Sequence, residues 1–191
     1  MKHIAAKGYN VEFSEKQYLI LNYFVDKHQY SSIFILVDIH TEKLCLKEFL
    51  SEFNTKNTVE IISIDAGELH KHIETCSGVW KALSELGADR KSLLINLGGG
   101  VVTDLGGFVA STFKRGIDFI NIPTTLLSMV DASVGGKSGV DLGALKNQVG
   151  VIVNPKMVLI DPRYLNTLPS EEYRSGYAEM LKHGLIQDKI Y

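Results

Sequence analysis

The stretch that decides the fold runs from residue 93 to residue 104 and reads LLINLGGGVVTD. Leu93 to Leu97 is a short, continuous apolar run, typical of a strand that is buried on both faces. Gly98 to Gly100 follows directly, and a helical pattern begins near Val102. A strand that passes through glycines into a helix leaves bare backbone amides at a helix N-terminus, where they can face a phosphate. The stretch predicts a pyrophosphate cradle, although a glycine triplet outside the G-x-G-x-x-G pattern is equally compatible with a simple tight turn.

Helical and strand patterns alternate before this stretch. The predicted elements are a helix over 15–28, a strand at Ile33–Val37, a helix marked by Leu46–Phe53, a strand at Val59–Ile64, and a long amphipathic helix that opens at Gly67 and is capped by Gly87. Strands that are apolar on both faces and alternate with helices indicate a parallel sheet with helices on both sides. The expected fold is therefore a doubly wound, Rossmann-like α/β sheet.

The pattern changes near Pro162. Residues 168–172 read LPSEE, which predicts a loop that feeds a helix over about 170–187 with Ser170 as its N-cap. The apolar face of that helix has little sequence left to pack against. We therefore expect an α/β domain over 1–162 and, over 163–191, the first helix of an incomplete helical domain.

Composition excludes several classes of function. The 191 residues carry a formal net charge of −2, and their basic residues are scattered, which argues against nucleic acid or an anionic membrane as a partner. No signal peptide and no apolar run of about 20 residues is present. Cys45 and Cys76 fall on apolar helical positions, which favours buried thiols in a reducing compartment. These features predict a cytoplasmic protein with a small ligand.

The segment from Pro123 to Lys137 reads PTTLLSMVDASVGGK and is the most specific in the chain. It combines hydroxyls, one acid and a lysine behind two glycines, and Lys146-Asn147 adds a second cation and an amide. A lysine beyond a permissive glycine pair is typical of phosphate binding. These residues together suit a phosphorylated, polyhydroxylated substrate.

Two further groups leave alternatives open. Glu68 and Lys71 could serve a ligand, but a helix-capping acid or a surface salt bridge would explain them equally well. Glu179 and His183, four residues apart, could bind zinc, whereas a histidine near a helix C-terminus is more often a surface residue stabilised by the helix dipole. The other histidines show no ligand spacing, so this pattern alone does not define a metal site.

From about residue 65 to its end, the chain resembles the 3-dehydroquinate synthases, one group of the sugar-phosphate cyclases. The resemblance rests on motifs that occur in the family's order and spacing: Gly67-Glu68 with Lys71, Gly98–Gly100 with Asp104, Lys114-Arg115-Gly116, Pro123–Lys137, Lys146-Asn147, Thr167-Leu168-Pro169 and Gly176–Glu179. Asp131–Lys137 is specific to the cyclases, whereas the glycine triplet is shared with iron-type alcohol and glycerol dehydrogenases.

The resemblance implies roles for named residues. It assigns NAD binding to Asp38, Glu68, Lys71, Gly99, Gly100, Val101, Asp104, Thr124, Thr125, Lys137, Lys146 and Thr167. It assigns the substrate to Asp131, Lys137, Lys146, Asn147 and Lys182, with Arg115 reaching the substrate phosphate across a homodimer interface. Glu179 becomes the first ligand of a divalent metal, zinc or cobalt.

The implied reaction converts 3-deoxy-D-arabino-heptulosonate 7-phosphate into 3-dehydroquinate by oxidation with NAD, loss of phosphate, re-reduction and aldol ring closure. The chain departs from the family at Ala66 and Asp141, and it lacks the two metal-binding histidines of the family's C-terminal domain. We therefore expect it to be inactive alone. The rival interpretations are another cyclase, such as a 2-deoxy-scyllo-inosose synthase, and a non-catalytic nucleotide-binding module.

Overall fold

The computed structural model describes residues 3–14 and 18–187. Seven strands form the main sheet, in the spatial order β1-β2-β9-β6-β5-β3-β4, and two more form a separate hairpin. The strands are β1 (His3–Ala6), β2 (Tyr9–Phe13), β3 (Ile33–Asp38), β4 (Val59–Ile64), β5 (Leu93–Gly98), β6 (Asp118–Pro123), β7 (Lys137–Leu142), β8 (Leu145–Ile152) and β9 (Met157–Ile160). Within the main sheet only β1 runs antiparallel to its neighbour; β7 and β8 form the hairpin.

In the described ranges, six α-helices connect or follow these strands. They are α1 (Leu19–His28), α2 (Ile39–Thr41), α3 (Lys47–Glu52), α4 (Ile73–Glu85), α5 (Gly100–Thr112) and α6 (Ser170–Gln187). A π-helical turn, Glu42–Leu46, joins α2 to α3, and a second one spans Ser128–Ala132. Short 3₁₀ turns occupy Glu68–His70, Phe113–Arg115 and Pro162–Thr167.

The side chains of β3 show how the sheet is covered on both faces. Ile33, Ile35 and Val37 pack in one core with residues of α1 and α3, whereas Phe34 and Leu36 pack in the other core with α4 and α5. Successive strand residues point to opposite faces, so a run that is apolar at every position requires cover on both sides. The predicted doubly wound α/β fold is confirmed. No helix in the described ranges is both long and apolar enough to span a membrane.

Several predicted helix boundaries were wrong. The first helix begins at Leu19, because Tyr18 has a left-handed backbone (φ 39°) that a helix does not accept; residues 15–17 lie outside the described part. The long helix begins at Ile73 instead of Gly67, because the residues between them form a 3₁₀ turn that leaves Leu69 exposed. The last helix, Ser170–Gln187, has the predicted bounds, although Ser170 is its first residue and not its N-cap.

The C-terminal cap of α4 follows the prediction. Gly87 has φ 79°, the amide of Ala88 donates to the Leu83 carbonyl (2.8 Å), and the amide of Gly87 donates to the Ser84 carbonyl (3.2 Å). These two bonds define a Schellman motif. Cys45 and Cys76 are buried free thiols, as expected, and burial raises their pKa values to about 11 and about 12.

The β7–β8 hairpin was not predicted from the sequence. It packs over α5, where a Cβ on Gly107 would lie 2.2 Å from the Ser138 hydroxyl oxygen. On the sheet side of the same helix, a Cβ on Gly106 would lie 2.0 Å from Oδ1 of the buried Asn96. The glycine pair in α5 therefore allows close approach on two sides.

Candidate functional site

The candidate site lies at the carboxyl edge of the parallel strands. β5 ends at Gly98 and β6 ends beside it at Pro123, and the amide of Thr124 donates to the Gly98 carbonyl (3.0 Å). A Cβ on Gly99 would lie 3.0 Å from Cγ2 of Thr125. The structure thus brings the glycine triplet and the two threonines together, as the resemblance implied, at the edge where doubly wound sheets bind their ligands.

The glycine triplet also supplies backbone donors. Gly99 is the N-cap of α5, and this cap makes no side-chain hydrogen bond. The first amides of an α-helix have no intrahelical acceptor, and the helix dipole favours an anion at this position. Since Gly99 and Gly100 carry no side chains, a phosphate can approach these amides closely. Glycine therefore fits both the backbone geometry and the approach of an anion.

Lys71 and Asp104 form a nearly buried ion pair beside the triplet. Lys71 Nζ donates to Asp104 Oδ2 (2.6 Å) and to Asn147 Oδ1 (2.7 Å), and the two charged side chains are only 5% and 19% exposed. Burial raises the pKa of the Asp104 carboxyl above its ordinary value, and the Lys71 ammonium opposes that shift. Lys71 therefore connects the loop before α4, helix α5 and the hairpin.

The hairpin turn adds a second, exposed pair. Lys146 Nζ lies 3.0 Å from Glu68 Oε1, and this contact raises the pKa of Lys146. The carboxylate of Asp141 accepts the backbone amide of Asn147 (2.7 Å), and the amide of Asp141 donates to the Lys71 carbonyl (2.8 Å). Asp141, one of the two departures from the family pattern, therefore stabilises the left-handed backbone of Asn147 (φ 54°).

The Lys137 side chain has no charged partner among the described residues. It is the first residue of β7 and is exposed, and its side chain forms neither a hydrogen bond nor an ion pair with any residue in the described ranges. Gly135 and Gly136 precede it with φ values of 93° and 71°, a geometry that favours glycine. A structural role for Lys137, as the cation that neutralises a buried Asp131, does not fit this geometry, because Asp131 is itself exposed.

Helix α6 brings Glu179 and His183 to Asp131. Glu179 Oε1 lies 3.6 Å from His183 Nε2, which lies 4.0 Å from Asp131 Oδ1. Lys182 Nζ also contacts Glu179. The helix can approach the Asp131 segment because residue 176 is glycine, where a Cβ would lie 2.6 Å from Leu126. The sequence pattern left Glu179 without chelating partners; the structure places two potential ligands next to it.

Asp38 and Thr167 make local contacts, and Arg115 lies away from the site. Asp38 ends β3 and caps α2, where its Oδ1 accepts the amides of His40 (2.9 Å) and Thr41 (2.8 Å). The Thr167 hydroxyl donates to the Tyr164 carbonyl (3.1 Å). Arg115 is remote, because the 13 residues of α5 carry the chain about 20 Å back to the opposite edge of the sheet. The structure does not bring Arg115 to the site of its own chain.

The chain matches proteins of known function. The family described as 3-dehydroquinate synthase N-terminal matches residues 61–175. A 3-dehydroquinate synthase of Parabacteroides distasonis is 47% identical over 163 residues, which cover 85% of this chain and 46% of that protein. A 3-dehydroquinate synthase of Sulfurovum sp. is 53% identical over 133 residues, which cover 70% of this chain and 38% of that protein. The chain thus spans about half the length, or less, of these relatives.

Solved structures of cyclases share the fold. A 2-epi-5-epi-valiolone synthase from Streptomyces hygroscopicus subsp. jinggangensis, with NAD⁺ and Zn²⁺ bound, superposes with a TM-score of 0.85 at 31% identity, covering 99% of this chain and 52% of that one. A 2-deoxy-scyllo-inosose synthase complexed with carbaglucose-6-phosphate, NAD⁺ and Co²⁺ superposes with a TM-score of 0.85 at 26% identity. The match covers 97% of this chain and 52% of that one. The family match covers more than half of the chain, so the chain belongs to the 3-dehydroquinate synthase family and carries its N-terminal domain.

Proposed function

We propose that this chain is the NAD-binding half of a 3-dehydroquinate synthase, which converts 3-deoxy-D-arabino-heptulosonate 7-phosphate into 3-dehydroquinate and phosphate. The observation that carries the proposal is a convergence at one edge of the sheet. A bare helix N-terminus at Gly99, an exposed cation at Lys137 and a cluster of acids with a histidine around Glu179 all lie there or on segments that leave it. A dinucleotide, a phosphorylated substrate and a divalent metal require these three features.

The residues present fit both non-protein groups. When bound, NAD supplies a reversible hydride acceptor, and a divalent metal supplies a Lewis acid at a substrate hydroxyl. The amides of Gly99, Gly100 and Val101 would bind the pyrophosphate, while Thr124 and Thr125 flank it. The second carboxylate oxygen of Asp38 would accept an adenosine ribose hydroxyl, because the capping bonds use Oδ1.

The Lys71–Asp104 pair would influence NAD binding indirectly, by holding the neighbouring elements in place. Both Nζ contacts of Lys71 go to protein oxygens, so its main effect on NAD is to fix Asp104 and the hairpin next to α5. The proposed cofactor contacts also include Glu68, Lys146 and Thr167. Lys146 would then exchange its contact with Glu68 for contacts with NAD and the substrate. Its exposure permits this exchange.

The substrate would lie between the hairpin and α6. Lys137 would hold its phosphate, because no protein acid in the described ranges pairs with this ammonium and charge-assisted contacts to phosphate are strong. Asn147, whose Oδ1 accepts from Lys71, would offer its amide NH₂ to a substrate hydroxyl. Asp131 and Lys182 would contact the carbons that change, on the side of Glu179.

Arg115 enters this proposal only through a second copy of the chain. It lies at the opposite edge of the sheet, on an exposed turn where Lys114 and Arg115 have φ values of 48° and 72°. We propose a homodimer in which this turn reaches the substrate phosphate of the partner. The exposure of Arg115 leaves its guanidinium available to a partner.

A 2-deoxy-scyllo-inosose synthase is the weaker alternative. The solved enzyme of that activity shares 26% identity with this chain, whereas the 3-dehydroquinate synthase of P. distasonis shares 47%. We also propose a domain boundary at about Pro162, with 163–191 opening a helical domain. Tyr164 and Leu165 still pack on the core of the sheet, so the change of domain would be completed at α6.

NAD binding tests the proposal directly. Gly99→Val should weaken NAD affinity about ten- to a hundredfold, because its branched side chain would cover the phosphate-facing amides and remove charge-assisted hydrogen bonds. Calorimetric titration of both proteins measures the difference. Gly78→Val, at an exposed glycine of α4 with open space around it, is the matched control and should bind like the unmodified chain. Equal affinity in all three proteins would refute the placement of the pyrophosphate.

A further inference from the structure

A residue from the N-terminal strands contacts the glycine turn that precedes Lys137. Gly135 and Gly136 have φ values of 93° and 71°, a conformation that side chains other than glycine rarely adopt. The amide of Gly135 donates to the hydroxyl oxygen of Tyr9 (2.8 Å). Tyr9 is the first residue of β2 and lies 126 positions before Gly135 in the sequence. The turn is therefore tied to a distant part of the chain.

Asn154 supplies a second contact with the same turn. A Cβ on Gly136 would lie 2.5 Å from the side-chain oxygen of Asn154, so this side chain occupies the space beside the turn. The side-chain amide of Asn154 donates to the Lys7 carbonyl (2.7 Å), between β1 and β2. The Val153 amide donates to the Gly136 carbonyl (2.9 Å). The turn thus lies between the N-terminal strands and the segment that follows β8.

Tyr9 is held more firmly than the lysine that follows the turn. Its side chain packs in the core of the sheet, and the residue is only 8% exposed. Lys137 is exposed, and its place in β7 is set by pairing with Ile152. An exposed lysine loses conformational freedom when it binds a phosphate, and a fixed backbone reduces what remains to be ordered. Tyr9 can therefore affect phosphate affinity without contact with the phosphate.

We propose that Tyr9 is a positioning residue for Lys137. Its hydroxyl fixes the Gly135–Gly136 turn, and the turn sets the direction from which Lys137 reaches the substrate phosphate. This role rests on the proposed function, in which Lys137 binds that phosphate, and it adds a residue that lies before the matched range 61–175. A role for Tyr9 in the core alone requires its ring but not its hydroxyl, so removal of the hydroxyl distinguishes the two roles.

Titration of the 191-residue chain with inorganic phosphate, followed by NMR at the amides of residues 135–137, is the test. Tyr9→Phe keeps the buried ring and removes the acceptor of the turn amide. It should weaken phosphate binding about three- to tenfold, the effect of losing one ordinary hydrogen bond, and leave NAD affinity unchanged. Tyr30→Phe is the matched control, because Tyr30 is 7% exposed and its hydroxyl donates to Asp118 (2.9 Å), outside the turn. It should bind phosphate like the unmodified chain.

Two further variants show whether the effect passes through the turn and the lysine. Lys137→Met should leave the same weak residual phosphate affinity with and without Tyr9→Phe, because the group that the turn directs is then gone. Asn154→Ala, at an exposed position, removes the second contact with the turn and should also weaken phosphate binding.

Phosphate binding that depends on Lys137 but is equal in the Tyr9→Phe and unmodified proteins would overturn the role of Tyr9 and leave the proposed function intact. A parallel loss of NAD affinity in Tyr9→Phe would indicate a general loosening of the fold and would also overturn it. No phosphate binding by the unmodified chain, or binding that Lys137→Met does not weaken, would instead reject the phosphate contact in the proposed function, and the role of Tyr9 with it.

Discussion

Supplied with 3-deoxy-D-arabino-heptulosonate 7-phosphate, NAD and either Zn²⁺ or Co²⁺, the 191-residue chain should release phosphate at least about 10³-fold more slowly than a full-length 3-dehydroquinate synthase. Orientation of the substrate and exclusion of water each contribute several kcal/mol to catalysis, and about 1.4 kcal/mol corresponds to a tenfold change in rate. In this chain the proposed substrate side is open, with Lys137 exposed and Tyr177, Leu181 and Leu185 on α6 57%, 53% and 90% exposed.

A phosphate-release assay with the P. distasonis enzyme as reference measures this difference. Excess Co²⁺ should not restore the rate, because the missing factor is enclosure of the substrate and not the metal alone. NAD binding by the same preparation is the control for a folded site. Phosphate release within tenfold of the reference enzyme would show that the described residues are sufficient, and would contradict the expectation.

Lys71→Met should lower the free energy of unfolding by about 3–5 kcal/mol. The substitution leaves Asp104 as a nearly buried carboxylate without its cation, and breaking one side of a buried ion pair typically has a cost of this size. It also removes the contact that fastens the hairpin through Asn147. Adding Asp104→Asn to Lys71→Met should restore part of the loss, since the uncompensated charge is then gone.

Urea denaturation of the single and double variants measures these energies. Lys146→Met is the matched control, because the Lys146–Glu68 pair is 69% and 42% exposed and exposed pairs contribute about 0–1 kcal/mol. A Lys71→Met protein as stable as Lys146→Met would mean that the Lys71–Asp104 pair does not hold the hairpin to α5. The lysine would then be free for direct contact with NAD.

The sheet was predictable from the sequence because a strand that is buried on both faces is apolar at every position. Every residue of Ile33–Val37 is apolar, and the structure covers both faces of β3 with helices. Gly87 was recognisable as a helix cap because its positive φ is a local requirement. The start of α4 was not recognisable, since the apolar spacing extends back to Leu69, whereas the backbone forms a 3₁₀ turn there.

The candidate site was predictable where a short motif alone determines the position of its residues in the sheet. The glycine triplet and the Thr124-Thr125 pair each mark a strand end, and parallel strands bring such ends to one edge. The partners of Lys71, Glu68 and His183 were not predictable, because they depend on the hairpin and on how closely α6 approaches Asp131. Gly176 was the one local signal of that approach, and a glycine within a helix has several possible causes.

An NMR titration of the isotope-labelled chain with NAD tests directly whether NAD lies against Gly98–Gly100 at the carboxyl edge of the sheet. The largest changes in amide chemical shift should occur at Gly99, Gly100 and Val101, with smaller ones at Thr124 and Thr125. The amides at the opposite edge of the sheet, near Arg90 and Lys114, should not change. Saturable changes at that opposite edge, with none at Gly99–Val101, would show that NAD does not bind at the glycine triplet.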